Sequence, residues 1–247
     1  MESLRKAFCL ICHGLNSTPQ SMHALRDFLN GMGIETKEVV LKGHSGDLSL
    51  MKDISALEWE EELLLTYQDI RKKADEAGSP LYYLGYSLGG LLNARIMQKN
   101  ETVYYDKILL FAPALSLRFT SELGQIFRFL AKEVMIPTFA PKDYRFHNKT
   151  SAGAYKALFE ILTEVRQNQF KNLNCKTVIF IDPLDELVSY SGLKKLKAKY
   201  HFENWEIIPI KKDKSTARYR FRHLILDEPT LGKKTWDFVK EKIKDFL

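Results

Sequence analysis

A chain of 247 residues, 45% of them apolar, has room for one large domain with a sizeable core. No apolar run approaches the ~20 residues that span a bilayer, and no cleavable leader pattern follows Met1-Glu2-Ser3-Leu4-Arg5-Lys6, so the expected location is the cytoplasm. The net charge of +6 is spread along the chain without a nucleic-acid motif, which argues against a nucleic-acid binder, and three cysteines with no disulfide framework suit a reducing compartment.

The predicted elements alternate between strand and helix. Residues 7–12 form a short apolar run ending at His13-Gly14. It holds Cys9 and Cys12 at C-x-x-C spacing. With no second pair to complete a metal site, they read as small hydrophobes in a buried strand. A helix is expected over residues 19–30, with Pro19 in its first turn and Gly31 and Gly33 at its end. Residues 34–41 read as the next strand, followed by the polar loop 42–47. Residues 56–77 carry a helical repeat that Gly78-Ser79-Pro80 stops.

Residues 81–84 read as a buried strand and 91–97 as a helix. The apolar run 107–111, closed by Pro113, is another strand. The ~60 residues from Ala114 to Asn174 are far more than a crossover usually takes. Within them residues 116–149 read as an inserted helical cap, and a helix over 151–169 returns to the core; the alternative is a long crossover with no part in binding. Strands follow at 176–181 and 205–210, and an amphipathic helix at 235–247. The fold class expected is α/β, a mostly parallel sheet flanked by helices with a small helical cap insertion. Residues 1–115 and 150–247 form the core and 116–149 the cap.

Between the strand at 81–84 and the following helix lies Gly85-Tyr86-Ser87-Leu88-Gly89-Gly90. In that setting G-x-S-x-G is a nucleophile elbow, which presents Ser87 from a tight turn while the flanking glycines let strand and helix approach. The alternative is a glycine-rich loop with Ser87 as a plain N-cap. A serine hydroxyl is a weak nucleophile. It needs a base, and the base needs an orienting acid, which come in the chain order serine, acid, histidine.

Three carboxylates follow the strand at 176–181: Asp182, Asp185 and Glu186. Asp185, with Val188 three positions on, matches a spacing many hydrolases share, so it is preferred over Asp182 and then Glu186. Of the two later histidines, His201 falls at a helix-to-strand junction, the wrong edge of a parallel sheet. His223 follows the last strand at the carboxyl edge, where sites form. The oxyanion donors expected are the N–H of Leu88, after the nucleophile, and that of Leu15, in the loop His13-Gly14-Leu15-Asn16. His13 props that loop. His44 lies in a loop at the same edge and helps shape the site.

On these residues, together with Lys42-Gly43-His44, Asp185-Glu186-Leu187-Val188, His223-Leu224-Ile225-Leu226-Asp227 and the helix at 157–166, the chain resembles the α/β-hydrolase superfamily over nearly its full length. It is most similar to small bacterial carboxylesterases related to monoacylglycerol lipases. The resemblance implies ester hydrolysis with Ser87, Asp185 and His223 as triad, Leu15 and Leu88 as oxyanion donors, and no cofactor or metal. Asp182 and Arg222 depart from it, each standing where a small residue is usual. The partner expected is a small-molecule ester with an apolar acyl chain, of short-to-medium length, or a monoglyceride. Alternatives are an acyl thioesterase, with the basic residues between Lys211 and Arg222 drawing an anionic substrate or surface, and a catalytically silent binding protein on the same fold.

Overall fold

The computed structural model describes residues 7–118 and 130–247. β1 (Ala7–Cys12) is buried at every position, as a strand covered on both faces must be. A 3-10 turn at Pro19–Met22 leads into α1 (His23–Gly31). The helix expected from residue 19 therefore begins four residues later, after a tighter turn in which the Ser21 hydroxyl donates to the Thr18 carbonyl. β2 (Ile34–Val39) has exposed positions between its buried ends, as suits an edge strand.

α2 (Ala56–Glu76) opens on a capping box: Ser55 Oγ accepts the Glu58 N–H, and Glu58 accepts the Ser55 N–H. β3 (Leu81–Tyr86) and α3 (Leu88–Lys99) meet at residue 87, and β4 (Lys107–Phe111) follows. β5 (Met135–Pro137) pairs antiparallel with β6 (Lys149–Ser151). The chain then runs through α4 (Ala152–Gln167), β7 (Thr177–Ile181), α5 (Tyr190–Lys199), β8 (Trp205–Pro209), α6 (Glu228–Leu231) and α7 (Lys233–Phe246).

Six strands form one wholly parallel sheet in the order β2-β1-β3-β4-β7-β8. An apolar core lies on each face. Trp59 and Leu63 of α2, Leu91 of α3 and Ile161 of α4 pack on one face; Leu25 and Leu29 of α1 and Trp236 and Val239 of α7 pack on the other. Cys12 belongs to the first core and Cys9 to the second. Residues three apart on a strand point to opposite faces, so the C-x-x-C spacing brings no two sulfurs together. Burial pushes the Cys12 thiol up to about 12, as a small core hydrophobe requires.

On the α2 side, Arg95 of α3 is buried between Glu60 of α2 and Glu164 of α4, with Glu164 at 2.9 Å. Lys99 adds a second cation to Glu60 at 3.0 Å. Four charges thus pin three helices over the sheet.

The segment between β4 and α4 departs from the helical expectation wherever it is described. Residues 130–151 form the β5–β6 pair and a 3-10 turn at Lys142–Tyr144, with no α-helix. Pro137 and Pro141 explain this, because a proline lacks the N–H a helix interior needs. Residues 119–129 of the expected cap lie outside the described residues. Ser151 ends β6 and caps α4, its Oγ accepting the Ala154 N–H at 3.1 Å.

Candidate active site

The strand order reverses between β1 and β3: β1 leads outward to β2, and β3 leads the other way to β4. Loops leaving the carboxyl ends of these neighbours diverge and open a crevice. Ser87 stands at its floor with φ 49° and ψ −109°, a left-handed conformation costly for a residue with a Cβ. The surroundings hold it there. Its N–H donates to Phe111 O at 3.0 Å, and its carbonyl accepts from Ala114 N at 3.0 Å. A Cβ on Gly89 would strike the carbonyl of Cys12, and one on Gly85 would come within 2.9 Å of Gly90 N. Both glycines are therefore demanded by the approach of β1, β3 and α3.

The structure brings the three preferred residues together. His223 Nε2 lies 2.9 Å from Ser87 Oγ, and His223 Nδ1 lies 2.8 Å from Asp185 Oδ2. Asp185 accepts only, so Nδ1 carries the proton and Nε2 is left to accept from the serine. Asp185 Oδ1 also takes the N–H groups of Leu187 (2.7 Å) and Val188 (2.9 Å). Burial alone raises a carboxyl pKa; here the neighbouring His223 and these hydrogen bonds outweigh it and hold Asp185 below its ordinary value. Both Asp185 and His223 are buried.

Asp182 and Glu186 serve elsewhere. Asp182 accepts the Leu184 N–H and faces Arg222 at 3.5 Å. Glu186 takes the backbone N–H groups of Arg222 and His223. Arg118, which no motif singles out, donates to the carbonyls of Asp185 and Pro183. Lys212 donates to the carbonyl of Phe221 at 2.6 Å; its burial drops its pKa to about 8 despite the carboxylates around it. The loop carrying His223 is thus held by side chains from two directions.

The loop after β1 is fixed with equal care. Gly14 O accepts the Ser17 N–H at 3.2 Å and lies 2.9 Å from His13 Nδ1. In a planar trans peptide the N–H points opposite to the C=O, so pinning Gly14 O sets the direction of the Leu15 N–H. His13 Nε2 accepts the Leu41 N–H at 3.3 Å, and His44 Nε2 accepts the Asn16 N–H at 2.9 Å. Both rings must be neutral to accept. Burial, first of all, holds His13 at about 4 and His44 at about 3. A Cβ on Gly14 would sit 2.8 Å from the Tyr86 ring and 3.3 Å from Ser87 Cβ, which shows how closely this loop passes the serine. Leu88 is the first residue of α3, so its N–H is one of those a helix leaves unpaired.

A cavity of about 290 Å³ opens over Ser87. Leu15, Leu117, Ile136, Phe139, Leu158 and Phe221 give it an apolar wall, and among the described residues no Asp, Glu, Lys or Arg lines it. His201 sits exposed at the α5–β8 junction, the opposite edge of the sheet. Three of the six cations between Lys211 and Arg222 have partners at hand: Arg222 faces Asp182, Lys212 holds backbone carbonyls, and Arg218 lies 3.7 Å from Asp143. Among the described residues no group of His, Cys, Asp and Glu could hold a metal ion, and no helix is long and apolar enough to cross a membrane.

A wholly parallel sheet with a strained serine elbow at its switch point defines an α/β-hydrolase. The family described as serine aminopeptidase, S33, matches residues 4–142, more than half of the chain, and the protein belongs to that family. No curated protein matches the sequence. Among solved structures, a metagenome-derived lipolytic enzyme is 18% identical, with 98% of this chain and 93% of that chain covered and a TM-score of 0.75. The monoglyceride lipase of Saccharomyces cerevisiae, solved with a substrate analogue, is 17% identical over 97% of this chain and 85% of that one, with a TM-score of 0.75. The monoacylglycerol lipase of Paleococcus ferrophilus is 16% identical over 97% and 95%, with a TM-score of 0.69. At these identities the likeness shows the shared fold.

Proposed function

We propose that the protein hydrolyses carboxylic esters with an apolar acyl chain, either short-to-medium acyl esters or monoglycerides, through an acyl-enzyme formed on Ser87. The observation that carries the reading is the unbroken hydrogen-bonded series Ser87–His223–Asp185 at the floor of an apolar cavity. The lipase folds it resembles support it.

His223 Nε2 takes the Ser87 proton as Oγ attacks the ester carbonyl carbon, and Asp185 stabilises the imidazolium that forms. The carbonyl π electrons move onto oxygen, which the N–H groups of Leu15 and Leu88 receive. The intermediate collapses and the C–O bond to the alcohol breaks, with His223 returning its proton to the leaving oxygen. Water then attacks the acyl carbon, giving its proton to His223. Collapse expels Ser87 Oγ, which recovers that proton, and frees the acid. In this reading the expected cap insertion faces the acyl site through its described residues, Leu117, Ile136, Phe139 and Tyr144 among them. No cofactor is called for, and a cytoplasmic enzyme is expected.

A p-nitrophenyl ester series of increasing chain length, with a fluorophosphonate probe, tests the reading. The wild type is expected to turn over esters and to be labelled, and Ser87→Ala to do neither. A folded wild type that neither turns over the series nor takes the probe overturns it.

A further inference from the structure

Asn16 follows the proposed oxyanion donor Leu15 and is buried, with all four of its polar groups engaged. Its N–H donates to His44 Nε2 at 2.9 Å. Its carbonyl accepts the Phe146 N–H at 3.0 Å. Its side chain pairs with both backbone groups of one residue: Oδ1 accepts the His147 N–H at 2.9 Å, and Nδ2 donates to the His147 carbonyl at 2.8 Å. Three of the four bonds therefore reach across to the strap of residues 141–149, which is 130 residues away in the chain.

The residue type fits two separate demands. Its φ of 52° lies in the left-handed region, where asparagine is among the few side chains tolerated. A primary amide also presents one acceptor and one donor side by side, which matches the N–H and C=O of a single backbone residue. An aspartate would place a carboxylate against the His147 carbonyl, and a glycine would leave both His147 groups unpaired. The far side of the strap is held too: Tyr144 donates its hydroxyl to Asp227 Oδ2 at 2.7 Å, four residues beyond His223.

We propose that Asn16 is a positioning residue through which the strap at Phe146 and His147 holds the Leu15 N–H at its station in the oxyanion site. The inference rests on the ester-hydrolase reading above. The strap is then part of the apparatus that stabilises the transition state, as well as a wall of the pocket. Its displacement unseats the oxyanion loop even though no strap residue touches the reacting atoms.

The test compares wild type with Asn16→Gly, which keeps the backbone conformation at ease and removes the side-chain half of the clamp, the two bonds to His147. On p-nitrophenyl butyrate, kcat is expected to fall about 10- to 100-fold with KM within about threefold of wild type, because a misplaced donor is felt chiefly in the transition state. Affinity for an alkyl trifluoromethyl ketone, whose adduct carries an oxyanion, is expected to fall in parallel with kcat. Endpoint labelling of Ser87 by a fluorophosphonate and the Tm are expected to change little. Hydrogen exchange of the 141–149 segment is expected to quicken.

Wild-type kcat and ketone affinity in folded Asn16→Gly overturn the proposal while leaving the hydrolase reading intact. A wild type that neither labels nor turns over ester overturns the reading beneath it. Should Asn16→Gly not fold, Asn16→Asp decides: it keeps the acceptor for His147 N–H and loses the donor, so an intermediate loss of kcat supports the clamp and full activity sinks it.

Discussion

The Glu186 carboxylate holds the backbone N–H of His223 at 3.0 Å, while that of its chain neighbour Asp185 holds the ring of the same residue at 2.8 Å. Two consecutive acids thus grip one histidine at its backbone and its side chain. Glu186 also takes the N–H of Arg222, so the two successive peptides that lead into His223 are held by one carboxylate.

The two acids are expected to separate on mutation. Asp185→Asn leaves the geometry but favours the wrong tautomer, and a loss of about 10³-fold or more in kcat is expected. Glu186→Ala loosens the loop without touching the proton path, so roughly a tenfold loss of kcat is expected, with Glu186→Gln near wild type because one oxygen can still accept. Steady-state kinetics on one ester checks all three. Equal losses for Glu186→Ala and Glu186→Gln would mean that the charge of Glu186, rather than its acceptors, is what counts.

Stability is expected to fall on acidification earlier than carboxylates alone would cause. His13 and His44 stay neutral in the fold down to about 4 and about 3, whereas in the unfolded chain a histidine gains its proton near 6.5. Above that pH neither state is protonated and nothing changes. Between it and the folded values the unfolded chain binds the extra protons. Each ring then removes up to about 1.4 kcal/mol of stability per pH unit as the pH falls. Urea unfolding between pH 7 and 4.5 reads the slope, and His44→Gln, which keeps an acceptor for Asn16 N–H, should flatten it. An unchanged slope in that variant removes His44 from the account.

Arg95→Leu is expected to destabilise the protein by about 2–4 kcal/mol, because it strands the buried Glu60 with Lys99 as its remaining cation. The cluster lies on the helices over the sheet, away from Ser87, so kcat of the folded variant should match wild type at 20 °C or below. Chemical denaturation and kinetics on the same sample give both numbers. A loss of kcat with intact stability would contradict this placement.

Acyl-group preference is expected to follow the apolar cavity. Among its described lining residues no Asp or Glu stands to pair with an α-amino group. Butyrate esters should therefore turn over faster than aminoacyl p-nitroanilides. Because no Lys or Arg stands among the described residues lining the cavity, KM for an anionic acyl thioester should depend weakly on added salt. Faster thioester turnover, with KM rising steeply with salt, would favour the thioesterase alternative instead.

The strands and the elbow were legible because each is written locally. Residues 81–86 and 107–111 are short apolar runs, and the glycines around Ser87 answer a close approach that the structure displays. The order serine, acid, histidine and the sheet edge pointed to His223, and the spacing to Val188 preferred Asp185 among three carboxylates; His223 lies against both Ser87 and Asp185. Other features left no local trace. β5 and β6 are three residues each, too short for a periodic pattern. The tasks of Glu186 and Arg118 consist of hydrogen bonds to backbone 36 to 67 residues away, and backbone groups are the same in every sequence. Residue 16 likewise reads as an ordinary loop asparagine until its partners in the strap are known.

The two tethers of that strap bear on how such a protein can change by recombination. A connection between two short paired strands outside the main sheet is ordinarily an interchangeable part, because that sheet does not register what it carries. Here residues 141–149 are keyed at one end to Asn16 and at the other to Asp227. A chimera that imports this loop from a relative inherits a lock without its key unless positions 16 and 227 travel with it. Substrate range in this lineage is thus expected to shift by coordinated exchange of three distant stretches of chain.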